Sequence, residues 1–351
     1  MKIIYDTALT YDDVTLVPQK SWIKTRKDIS IRTKVSKNYY IDVPIIASPM
    51  DTVVGEKMIY TMGKLGGLAI MHRFVSIDEQ IRILKSVQEK WGWESIRPIV
   101  GASIGVKDID YENAIRLLEE AHVNIILIDI AHGHCEMMRE MLSKLVKLKE
   151  KYKFDIIAGN VATAEATEDL IRWGADGIRC GIGGGSCCSS RIKAATGIPM
   201  ITSINECYEA SKITGIPIMA DGGIRYEGDV AKAISAGADC VMVGSLLAGT
   251  DESPGDLIDS DYYLNSGKVK VFRGSASREC KIERGEKDFV EGVSKYIPYK
   301  GSVESVINKI KDGLRSAMSY SGTMDIREFK ENSILRKVTN NGVIEASPHL
   351  K

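Results

Sequence analysis

The sequence predicts a (β/α)8 barrel, and three observations carry that prediction. Eight short, apolar, β-rich segments follow one another at 44–47, 68–71, 98–102, 124–129, 155–159, 177–180, 217–220 and 239–243. Between most of them apolar residues recur at helical spacing, as at Ala114, Leu117, Leu118 and Ala121 after the third segment and Val230, Ala233 and Ile234 after the seventh. Several helical stretches end in a glycine-bearing turn just before the next strand: "KLGGLAIMH", "RWGADGIRCG", "ITGIPIMADGG" and "SAGADCVMVGS".

Near-continuous apolar strands are buried on both faces, as in a parallel sheet. Eight such units fit a barrel whose chemistry collects at the C-terminal strand ends, while an open doubly wound sheet is the competing architecture. The 351 residues match two ordinary domains or one barrel of roughly 250 residues with additions. The chain is read here as one catalytic barrel spanning 1–351, with an active-site loop at 181–202, a flap at about 274–297 and a tail at 321–351. The connections at 181–202 and 246–301 exceed a simple repeat, and long ordered excursions on the active face tend to be functional loops or lids. The second contains "RECKIERGEKDFVEG", which suits a mobile flap or an inert solvated loop.

Composition narrows the function. Lys plus Arg equals Asp plus Glu at 47 each, so no excess charge recruits nucleic acid or an anionic membrane, and phosphate binding has to be local. No apolar run approaches the roughly 18 residues of a spanning helix, and "MKIIYDTALTYDDV" holds acids where a signal peptide needs an apolar stretch, so a cytoplasmic location is expected. Seven cysteines without paired C-x-x-C spacing point to free thiols.

Candidate chemistry is read strand end by strand end. The seventh strand leaves Asp221, Gly222 and Gly223 at the mouth, and the eighth leaves Gly244 and Ser245. Loops after these two strands commonly hold phosphate, because glycines let ligand oxygens approach backbone N–H groups, so a phosphorylated small molecule is expected. Asp221 is placed either to accept a sugar's vicinal hydroxyls or to cap a helix. At the fourth strand "LIDIAHGH" sets Asp129 at the mouth with His132 and His134 beyond; H-x-H without a third ligand argues against a catalytic metal. After the sixth strand, "RCGIGGGSCCSS" holds Cys187 and Cys188, readable as a redox pair, a metal site or a loop that presents one thiol. Its glycines free the backbone to wrap a ligand, and Ser189 and Ser190 are placed to orient a proton acceptor or water.

The ordered motifs "YDDVTLVP", "ASPMDTV", "LIDIAHGH", "GNVATAEA", "GIGGGSCCSSR", "ADGGIRYEGD", "GSLLAGTDESPGD" and "PYKG" span nearly the whole chain. With them the chain resembles the inosine monophosphate dehydrogenase and guanosine monophosphate reductase family. The resemblance implies a purine nucleotide monophosphate as substrate and Cys188 as the nucleophile that attacks C2, with Cys187 on a usually apolar position. It implies Ser186, Gly223, Gly244 and Ser245 at the 5′-phosphate, Asp221 at the ribose, and Ser48, Met50, Ser275, Ala276 and Glu291 near the base, with Gly222 and Gly292 also among the substrate-binding residues. Asp129, Asn160 and Gly181 fall where the nicotinamide riboside of NAD binds. Carbonyls of Gly183, Gly185 and Cys188 match a potassium site completed from a neighbouring subunit's tail, which "GVIEASPH" with Glu345 resembles, and a homotetramer is implied. Ser190 takes the place of a family threonine that handles the attacking water or ammonia.

Departures from the pattern are informative. The family's CBS regulatory module is missing, since "MHRFVSIDEQIRILKSV" passes straight into the next helix. The dehydrogenase flap carries an Arg-Tyr pair, whereas here Arg284 is followed by Gly285, which leaves Arg284 as the candidate flap base. The short flap and Phe272 look reductase-like; the histidines of "DIAHGH", "NVATAEA", "GTDESPG" and the tail look dehydrogenase-like. NAD-dependent oxidation of IMP to XMP is therefore the first expectation, and NADPH-dependent deamination of GMP the second. A relative acting on a modified purine nucleotide, or a nucleotide-binding protein without catalysis, completes the set.

Overall fold

The computed structural model describes residues 3–95, 98–260, 267–274, 277–278, 282 and 292–346. Eight parallel strands close into a barrel in chain order: β1 (Ile45–Ala47), β2 (Leu68–Met71), β3 (Gly101–Ile104), β4 (Ile125–Asp129), β5 (Asp155–Val161), β6 (Gly177–Cys180), β7 (Ile218–Asp221) and β8 (Cys240–Val243). β8 pairs with β1, Val241 opposite Ile45, so the sheet has no free edge. The open-sheet alternative is thereby excluded.

Each strand is followed by a helix that covers it: α1 (Glu56–Lys64), α2 (Ile77–Trp93), α3 (Asp108–Glu120), α4 (Glu136–Leu148), α5 (Ala164–Arg172), α6 (Met200–Ser211), α7 (Glu227–Ser235) and α8 (Val303–Tyr320). Hydroxyl caps start several of them. Ser76 Oγ accepts from the Glu79 N–H, Thr163 from Ala166 and Ser302 from Glu304. The glycine turns behave as the pattern requires: Gly174 has φ +105°, and a Cβ there would lie 2.5 Å from Val146 Cγ2. Residues 72–76 connect β2 directly to α2.

The third strand begins at Gly101 rather than 98. Pro98 has no N–H to give, and the Val100 N–H is taken by Asn124 Oδ1 at 2.9 Å, so the ladder starts one residue later and runs to Ile104. The loop after β6 ends at Pro199, where α6 begins, three residues before the expected boundary.

Alternation divides the barrel in two. Ile46, Leu68, Ile70, Ile125, Leu127, Ile157, Met219 and Met242 fill the interior, while the residues between them pack against the helices. A hairpin of Thr33–Lys34 against Tyr40–Ile41 plugs the N-terminal end with Val35 and Ile41. Its turn is tied to the barrel by Asp155, which accepts from Ser36 Oγ, the Asn38 N–H and Asn38 Nδ2 at 2.7–2.8 Å. Val35 and Ile41 close the barrel interior from below, and the main cleft lies at the C-terminal end.

There, the excursion after β8 forms an antiparallel sheet of Ile258–Asp259, Lys268–Arg273 and Ser294–Pro298. Arg273 anchors it to the loop after β1 through Asp51, with Nη2 2.6 Å from Oδ2. The tail contributes Leu335–Lys337, paired antiparallel with Val14–Leu16. No helix among the described residues is long and apolar enough to cross a membrane.

Candidate active site

Period-two alternation carries charge to the open end. The inward positions are Ile125, Leu127 and Asp129 on β4, Met219 and Asp221 on β7, and Arg179 on β6. Arg179 is 7% exposed. Its guanidinium pairs with Asp129 Oδ1, and its Nε donates to Asp221 Oδ2 at 3.0 Å. Burial alone would loosen its proton, but the fields of Asp221 and Asp129 more than offset that and raise its pKa. β5 leaves room for it with Gly159, where a Cβ would strike Arg179.

Asn160 Nδ2 donates to Gly181 O at 2.7 Å and to Asp221 Oδ2 at 2.8 Å. Asp221 Oδ2 is thus saturated, whereas Oδ1 receives no hydrogen bond from a described residue. A carboxylate so held is oriented, with one oxygen left for a ligand's hydroxyls. This favours the ligand-binding reading of Asp221 over the helix-cap reading, and α7 is in fact preceded by Tyr226.

The mouth opens into a cleft of about 480 Å³, inside the roughly 300–1,000 Å³ typical of small-molecule sites. Ser48, Met50, Asp129, Asn160, Gly181, Gly183, Gly185, Ser186, Cys188, Ser190, Asp221, Gly222, Gly223, Gly244, Ser245 and Gly292 all line it. Residues from seven distant stretches therefore converge on one cleft. Arg284, Ser275, Ala276 and Glu291 lie outside the described residues. Glu345 ends a helix, Asn340–Glu345, packed beside the Tyr11–Asp13 turn, and does not line the cleft.

The two adjacent cysteines are unequal. Of the six described cysteines, only Cys188 is exposed. Cys187 is 5% exposed and joins the apolar core, while its carbonyl accepts the Val293 N–H at 3.1 Å. The Cys188 N–H donates to Gly185 O at 3.0 Å, closing a turn, and its thiol donates to Ser190 Oγ at 3.3 Å. The redox-pair reading has no geometric support, and no cluster of three metal-binding side chains occurs among the described residues. Ser189 is not a partner to Ser190 in the cleft: it is buried, with Oγ lacking a hydrogen bond among the described residues. A buried Oγ cannot orient cleft water.

Gly222 and Gly223 take φ of +103° and +79°. A Cβ on Gly222 would stand 3.0 Å from Gly184 C and Gly185 N, so the β7 turn and the Cys188 loop meet backbone to backbone. Only glycine allows that approach at that φ.

Arg179, Arg73 and Phe74 are among the lining residues to which the sequence alone assigns no role. Arg179 carried a signal, because an arginine inside a strand buried on both faces requires carboxylate partners. Arg73 and Phe74, after β2, carried none; Arg73 Nε donates to Asp129 O at 3.2 Å.

Comparison with known proteins agrees with this geometry. The sequence profile described as the IMP dehydrogenase / GMP reductase domain matches residues 8–349. The chain is 38% identical to the inosine-5′-monophosphate dehydrogenase of Cryptosporidium parvum over 97% of this chain and 94% of that one. It is 31% identical to the GMP reductase of Leishmania major over 97% and 96%. A crystal structure of a cysteine-to-alanine variant of GMP reductase from Trypanosoma brucei in complex with guanosine 5′-monophosphate superposes with a TM-score of 0.92 at 30% identity, covering 99% of this chain and 98% of that one. Profile, sequence relatives and fold converge: the chain belongs to the IMP dehydrogenase / GMP reductase family of oxidoreductases.

Proposed function

We propose that this protein oxidises IMP to XMP with NAD through a covalent thioimidate on Cys188. The observation that carries the proposal is the position of Cys188, the exposed thiol among the described cysteines, in one cleft with Asp221 and the Gly222–Gly223 turn. Ser186, Gly222, Gly223, Gly244 and Ser245 hold the 5′-phosphate, Asp221 Oδ1 accepts from the ribose hydroxyls, and Ser48 and Met50 flank the base. Gly292 lines the same cleft, and the family pattern assigns Ser275, Ala276 and Glu291 to the base as well. The Cys188 thiolate adds to C2, and C2 gives up a hydride that NAD, when bound against Asp129, Asn160 and Gly181, would accept. The resulting thioimidate is hydrolysed by water, which releases XMP and restores the thiol. Ser190, 3.3 Å from the sulfur, is placed to hold that water, and Arg284 is the proposed flap base.

Asp129, Asn160 and Gly181 form the wall of the cleft that would hold the nicotinamide riboside. The donor set fits, with an anchored carboxylate and a side-chain amide beside the Gly181 backbone. A potassium ion would take carbonyls of Gly183, Gly185 and Cys188, with Glu345 in a neighbouring tail, and would stiffen the loop. The loop suits carbonyl ligation, since Gly185 O accepts only the Cys188 N–H from the described residues. This proposal includes a homotetramer.

Deamination of GMP with NADPH is the second reading. Phe272 in the cleft and the likeness to a GMP-bound reductase favour it. The 38% identity to a dehydrogenase against 31% to a reductase supports the first. Incubation with IMP and NAD should produce NADH absorbance. Silence there, with GMP-dependent loss of NADPH, transfers the assignment to the reductase.

A further inference from the structure

Lys300 follows the strand Ser294–Pro298 and precedes α8, outside the cleft lining. Its Nζ donates to the carbonyl of Ser245 and, at 3.3 Å, to that of Leu246. Its own backbone is locked, since the Lys300 N–H donates to Gly249 O at 2.9 Å and Gly301 bridges Thr250. Those two carbonyls belong to the turn after β8, whose leading residues Gly244 and Ser245 face the cleft.

We propose that Lys300 is a positioning residue for the nucleotide phosphate: its ammonium fixes the carbonyl side of the Gly244–Leu246 turn and is the counter-charge behind it. The proposal rests on the reading that this turn holds the 5′-phosphate. In a helical turn, N–H groups and carbonyls point to opposite ends, so a cation on the carbonyls aims the N–H groups at an anion in the cleft. A half-buried ammonium held by carbonyls alone is poorly compensated. The charged neighbours are otherwise engaged. Asp251 accepts the Tyr299 hydroxyl at 2.6 Å, and Glu252 accepts the Val303 N–H at 2.8 Å and Ser302 Oγ at 3.3 Å. From the adjoining strand, Lys270 Nζ donates to Ser253 O at 2.7 Å, and Lys268 adds another cation rather than an acid. No acidic side chain among the described residues pairs with Lys300. Its burial pushes the ammonium down to about 8, and a bound dianion would reverse that shift.

Calorimetric titration with IMP and with inosine tests this, since IMP is substrate or product in either direction of the chemistry. The IMP-to-inosine affinity ratio cancels titration of the shared base and of Cys188. In the wild-type protein the ratio should fall about tenfold from pH 7 to pH 9.5 as Lys300 loses its proton. Lys300→Met should lower the ratio about tenfold at pH 7, flatten its pH profile and leave inosine binding unchanged. A pH-independent wild-type ratio overturns the proposal without any variant, and so does a folded Lys300→Met protein that retains the wild-type ratio. If the wild-type protein does not distinguish IMP from inosine at any pH, the phosphate reading itself fails, and the proposal falls with it.

Discussion

Arg179 Nη2 lies 2.9 Å from Asp221 Oδ2 across the adjoining strands β6 and β7, and the same guanidinium holds Asp129 on β4. One buried cation thus aligns two carboxylates for which separate ligand duties are proposed. Breaking a buried pair strands the remaining charge, which costs about 3–5 kcal/mol. Arg179→Met should lose stability on that scale in urea unfolding and lose nucleotide turnover. Arg179→Lys keeps the charge but not the fork, so it should unfold later than the Met variant yet raise KM for the nucleotide. An unchanged unfolding midpoint in Arg179→Met would refute the structural role.

Cys187 and Cys188 are chemically identical and adjacent, yet one is packed and the other exposed. Brief iodoacetamide treatment followed by peptide mass spectrometry should label Cys188 first, with IMP slowing the reaction. Cys188→Ala should lower kcat by at least about 10³-fold, since the covalent path is lost. Cys187→Ala should cost about 1 kcal/mol of stability and leave kcat within about threefold. Equal labelling of both thiols would contradict the geometry.

Gly222 meets Gly184 and Gly185 backbone to backbone at φ +103°. Gly222→Ala places a methyl against atoms that cannot retreat, so a loss of about 1–3 kcal/mol is expected, together with lower kcat as the Cys188 loop shifts. Gly228, in α7, has open space where a Cβ would go. Gly228→Ala therefore serves as the control and should stabilise by about 0.5–1 kcal/mol with activity intact. If both variants behave alike in thermal melts and assays, the contact between loops does not matter.

Much of this architecture was legible because burial on both faces writes continuous apolar strands. Ile125 to Asp129 or Ile218 to Asp221 admit little else, and the acid that ends each run marks the mouth. Glycine turns gave the period, and the cleft residues followed from strand ends. What stayed hidden depends on partners remote in sequence. Val14–Leu16 pairs with Leu335–Lys337, and the floor hairpin at Thr33–Ile41 buries only two apolar side chains, Val35 and Ile41, too few to announce itself. Strand β3 starts later than the apolar run containing Pro98 suggests, because proline cannot donate to a ladder. The role of Arg179 appears only when β4 and β7 bring their carboxylates to it.

Lys300 supplies a pH-dependent prediction for stability. Burial lowers its ammonium from 10.5 in the unfolded chain to about 8 in the folded one. Between those values the unfolded state holds a proton that the folded state has released, so stability rises with pH. Below pH 8 both states are protonated and the burial penalty is present in full; by pH 10.5 it is largely relieved. The gain is up to about 3 kcal/mol at roughly 1.4 kcal/mol per unit. Lys300→Met cannot titrate, so the difference between the two proteins in guanidinium unfolding should shift in favour of wild type from pH 7.5 to 10.5. Saturating IMP should shrink that shift, because the dianion compensates the charge before pH does. Parallel pH profiles for wild type and Lys300→Met would show that this ammonium is not strained by burial.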